Sequence, residues 1–112
     1  DFEGLTVMDG EKERLIESLG TKHHLILRNH GLLASGTTIE HAFFNLWGLQ
    51  RACEIQVIAD STGKPLTPID ESIADKSEQL LRLQMAGATG IGVMEFNAMV
   101  RRVDCVDTSY KE

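Results

Sequence analysis

No run of lysine or arginine longer than the pair Arg101-Arg102 occurs in this chain. Its net charge is −6 and its pI about 5.1. That balance leaves no basic stripe or groove for nucleic acid, and it disfavours an anionic membrane surface. No apolar run approaches the ~20 residues of a membrane-spanning helix, and no signal-peptide pattern opens the chain. Cysteine is scarce: Cys53 and Cys105 are the only two, with no C-x-x-C spacing. They read as free thiols of a cytoplasmic protein, not as a disulfide framework. Internal repeats and low-complexity segments are absent. The glycine-rich stretch 87–92 lacks the G-x-G-x-x-G spacing, and the preceding strand, of a dinucleotide site.

What is present is ordinary for a small soluble domain: 112 residues, 42% hydrophobic and 25% charged. The first residue is Asp1, not Met, and the expectation is that the chain is part of a longer protein. Asp9 is placed to cap a helix over 10–19, with Glu11 and Glu13 at the positive end of its dipole and Gly20 as its left-handed stop. Leu25, Ile26 and Leu27 form a short buried strand. Arg28 and Asn29 follow, and Gly31 supplies backbone freedom at the turn. A second short strand covers 32–35. Thr37-x-x-Glu40 fits a capping box and starts a long helix over 38–59.

That helix is apolar on more than one side. Ile39, Ala42, Phe43, Leu46, Leu49 and Cys53 recur at helical spacing, while Phe44, Trp47, Ile55 and Ile58 form a second group. Such a helix is covered on more than one side, which calls for a layer that two short strands do not supply. Gly48 reads as a point of close packing. After a loop over 60–65, Thr67-Pro68-Ile69-Asp70 resembles a helix start with proline at the first position. That helix runs to about residue 86. The segment 87–92 is expected to be flexible. Val93, Phe96, Met99, Val100 and Val103 mark a last amphipathic helix, and the polar tail 104–112 is expected to be mobile.

Few side chains look chemical. His23, His24 and His41 have no evident role. His30 lies just past a buried strand and beside a glycine, a position where loops on a rigid scaffold carry functional groups; a turn histidine bonded to backbone is the simpler alternative. A metal site needs three or four ligands, and His30 has no H-x-H, H-x-x-x-H or carboxylate partner close in sequence. Ser35 has no nucleophile-elbow motif around it, and neither cysteine sits in an electropositive context.

The stretch from Ile26 to Val57 resembles the class II aldolase/adducin family. The likeness rests on Arg28-Asn29-His30-Gly31-Leu32, on Gly36 before the capped helix, on Glu40 and Ala42-Phe43, and on the helix end Ala52-Cys53-Glu54-Ile55-Gln56-Val57. Asp1-Phe2-Glu3-Gly4-Leu5 looks like the D-Y-E-G-I segment of the adducin-like branch. Gly92, Glu95-Phe96, Ala98, Arg101-Arg102, Asp104 and Asp107-x-Ser109-Tyr110 look like the C-terminal motif of bacterial members.

The resemblance implies an α/β/α sandwich around a largely antiparallel sheet. This chain would be its C-terminal part, helix-rich with two or more short strands: 1–59 the sheet and long helix, 60–112 the C-terminal helices and tail. It implies zinc-dependent aldolases, epimerases and related lyases, usually tetramers with sites between subunits. In them an H-x-H pair and the histidine of an N-H-G turn hold the metal, a Lewis acid toward substrate oxygens. Carried over by position, His30 alone matches a ligand, and Tyr110 is a candidate C-terminal residue reaching the active site.

The expected function is therefore part of a metal-dependent lyase acting on a small sugar, sugar phosphate or hydroxy-carbonyl substrate. The metal, Zn2+, is not expected to bind this chain tightly by itself. The alternative is an adducin-like interaction module without catalysis. A third possibility is a small independent domain that oligomerises through its apolar helix faces.

Overall fold

The computed structural model describes residues 10–85, 88 and 90–111. Its elements are α1 (Glu11–Leu19), β1 (His24–Leu27), β2 (Gly31–Ala34), α2 (Ile39–Ser61), α3 (Glu71–Met85), α4 (Val93–Asp104) and a 3-10 turn, Ser109–Lys111. The order matches the sequence reading. Several details do not.

The proposed cap of α1, Asp9, lies outside the described residues. Gly10 occupies the cap position at φ 89°, with no side-chain bond. At the other end the Gly20 N–H donates to the Ile16 carbonyl at 2.9 Å. Gly20 has positive φ, 54°, but its ψ of −121° lies outside the left-handed helical region expected of it.

β1 and β2 form an antiparallel hairpin in the register His24↔Ala34, Leu25↔Leu33, Ile26↔Leu32, Leu27↔Gly31. The Ser35 N–H adds a rung by donating to the His23 carbonyl at 2.9 Å. Leu25 and Leu27 face inward and are half-buried, whereas Ile26 is exposed. α2 covers the inward side, packing on both strands. The Asn45 side-chain amide donates to the Ser35 carbonyl at 2.8 Å and ties helix to hairpin.

The cap of α2 falls one residue later than the sequence suggested. Thr38, in extended backbone, accepts from the His41 N–H at 3.2 Å. The reciprocal partner is the His41 ring, whose Nδ1 lies 3.4 Å from the Thr37 N–H. Thr37 is thus outside the helix, and Glu40 is at the second position. Thr37-x-x-Glu40 matches the capping-box spacing and Thr38-x-x-His41 does not, so the pattern pointed to the neighbouring threonine. α3 likewise begins later than predicted. Asp70 takes the capping role, accepting from the Ser72 N–H at 2.9 Å, and Pro68 lies ahead of the helix.

Two glycines grip the first turn of α2. A Cβ on Gly36 would collide with the backbone of His41 and Ala42. A Cβ on Gly92 would collide with the Glu40 carbonyl and the Phe44 side chain, and Gly92 also holds φ +78°. Gly92 is buried and caps α4, so this end of the stretch expected to be flexible is a packing point. Beside it Phe43 meets Phe96 edge-on, centroids 5.5 Å apart. Gly48 behaves differently: a Cβ there would meet nothing within 4 Å. Its expected close packing is not made among the described residues.

Among the described residues no hydrophobic side chain is fully buried. Ile39, Trp47, Ile55 and Ile58 of α2 are exposed, Ile39 by 74%. Among the described residues α3 packs against no other element; a Lys22–Glu78 ion pair at 3.8 Å between exposed side chains is worth little. The accessible surface is 9553 Å², against about 6,100 Å² for a folded monomer of 12.4 kDa. The radius of gyration is 17.3 Å, where a compact chain of this length has about 13 Å.

The glycine contacts give a direct test by urea denaturation. Gly92→Ala and Gly36→Ala should each lower stability by about 2 kcal/mol or more, because backbone must move. Gly48→Ala should raise it by up to about 1 kcal/mol, through helix propensity alone. Equal effects at all three positions would contradict the packing described.

Candidate functional site

The hairpin tip is built by one tight turn. The His30 N–H donates to the Leu27 carbonyl at 3.1 Å. Asn29 stands at φ 56°, and among the described residues it is the one non-glycine with positive φ. A positive φ at the third turn residue alone has the signs of a type II turn, a place where asparagine is tolerated. Sequence reasoning assigned the special backbone to Gly31. The structure gives it to Asn29, and a Cβ on Gly31 would meet nothing within 4 Å.

His30 is therefore exposed at the end of a two-stranded scaffold braced by α2. Among the described residues no three His, Cys, Asp or Glu side chains gather where a metal could be held. The donor set offered here is one imidazole, short of the three or four that zinc requires. The residues present do not fit a complete metal site.

A concavity of substantial size lies elsewhere among the described residues. An open cleft of about 830 Å³ runs between α2 and α3, its walls including His23, His41, Phe44, Leu49, Leu81 and Met85. His30 does not line it. Its lining is mostly apolar, and it exists because α3 stands away from α2. We read it as uncovered helix surface, in contrast to a site with convergent polar groups. The His23 and His41 rings approach to 5.7 Å at its edge. His41, given no role from sequence, completes the cap of α2. Its position three residues after Thr38 was the available signal.

Tyr110 lies in the C-terminal turn. Its hydroxyl donates to Asp104 Oδ1 at 2.5 Å. Lys111 Nζ reaches the same oxygen at 2.7 Å and sits 5.6 Å from the Tyr110 ring centre. Asp107 starts the turn by accepting from the Ser109 N–H at 2.8 Å. The tail expected to be mobile is thus folded back on α4 as far as Lys111. Lys111 and then Tyr110 hold the Asp104 carboxyl below the usual range by hydrogen bonding. Asp104 in turn raises the Tyr110 phenol. Cys53 is half-buried and Cys105 exposed, and both are free thiols.

A family model described as Class II Aldolase and Adducin N-terminal domain matches residues 3–57. A Pseudomonas aeruginosa relative, "Putative aldolase class 2 protein", is 37% identical over 99% of this chain and 43% of its own length. Human beta-adducin is 36% identical over 93% of this chain and 16% of its own. The crystal structure of an aldolase II superfamily protein from Pseudomonas syringae superposes with a TM-score of 0.77 at 36% identity, covering 99% of this chain and 44% of that one. The chain spans less than half the length of each of these proteins.

Acid should loosen the carboxylate caps. The Asp70 pKa is lowered, first by the Ser72 hydroxyl and then by its N–H. Its contribution is therefore present above the unfolded aspartate value of about 3.9 and is lost as pH falls through the lower folded value. The Ser72 amide resonance should be flat from pH 8 to 5 and move only below about pH 4. Movement centred near neutrality would contradict this assignment.

Proposed function

The chain belongs to the class II aldolase and adducin family, and on that premise we propose that it is the C-terminal portion of one such domain. In this reading it supplies His30 as one ligand of a divalent-metal site, with zinc the expected ion. The remaining ligands and the proton-handling carboxylate come from residues outside this chain. The completed protein is a lyase or epimerase acting on a small sugar, sugar phosphate or hydroxy-carbonyl compound. It works as a homo-oligomer, a tetramer by family resemblance, in the cytoplasm.

The observation that carries this reading is the placement of His30. The hairpin ladder and the left-handed Asn29 hold it at the tip of the strands, and α2 fixes the hairpin from one side. A ligand needs such a scaffold, because an imidazole on a mobile loop loses the orientation that metal binding requires. The apolar surfaces of α2 and α3 support the rest. A domain that leaves them uncovered lacks a layer.

A second reading is favoured by one observation: identity to human beta-adducin, 36%, nearly equals that to the bacterial relative, 37%. The chain would then belong to an interaction module without catalysis. An H-x-H with a preceding glutamate in the flanking sequence selects the lyase, and their absence selects the module.

Zinc content separates these ideas from a self-sufficient site. After dialysis against chelator, the 112-residue chain should retain well under one zinc per chain. Within a protein of the bacterial relatives' length, His30→Ala should weaken metal binding at least about tenfold. Stoichiometric zinc on the 112-residue chain that disappears in His30→Ala would overturn the proposal that the site is completed from outside.

A further inference from the structure

We draw no further inference here: the strongest candidate, the apolar cleft between α2 and α3 walled by Phe44, Leu49, Leu81 and Met85, is an unpartnered helix face, and nothing in the structure shows what covers it.

Discussion

The constraint that governs this structure is the apolar character of α2 on more than one side. The hairpin takes one side and α4 another, and exposed Trp47, Ile55 and Ile58 remain. At about 25 cal/mol per Å² of apolar surface removed from water, such side chains are among the strongest sources of stability a chain has. Here much of that source is unused. The excess of roughly 3,400 Å² over a compact monomer of this mass far exceeds the ~800 Å² per partner of a standard protein interface.

Within that open framework, order is concentrated at the first turn of α2. The Thr38 hydroxyl accepts from the His41 N–H, the His41 ring accepts from the Thr37 N–H ahead of the helix, and Gly36 and Gly92 let two separate segments approach its backbone. The consequence reaches the hairpin tip. The Asn45 bond to Ser35 fixes the end of β2 against α2, and β2 fixes the register that places His30. A candidate ligand nine positions before Ile39, the first residue of α2, is thus held by packing at that start.

Much of this was legible in the sequence. Element order followed from aliphatic runs and helical spacing, and the family followed from the Arg28–Leu32 motif with its flanks. What was illegible depended on contacts between distant segments. Gly92 read as flexible because nothing local reveals that Glu40 lies against it. Gly48 read as packed, yet among the described residues nothing lies within 4 Å of where its Cβ would stand. Thr37 carries the capping-box glutamate, yet the helix is capped by Thr38, with the His41 ring in place of a carboxylate. Asn29 took the left-handed position because the turn closes from Leu27 to His30, one residue ahead of the glycine that composition favours. The polar tail read as mobile because the bond between Asp104 and Tyr110 spans six residues and fits no local pattern.

For the site, the sequence indicated one histidine and one tyrosine, and the structure places each on a defined scaffold: His30 on a hairpin tip and Tyr110 on a clasped turn. Both scaffolds depend on helices whose other faces are bare. The central claim is therefore that these helices require cover beyond what one such chain supplies. Small-angle scattering combined with sedimentation velocity on the 112-residue chain tests it most directly. The account predicts self-associated species, with no compact monomer of radius of gyration near ~13 Å. A monodisperse monomer of that size, unfolding in one cooperative transition, would contradict it.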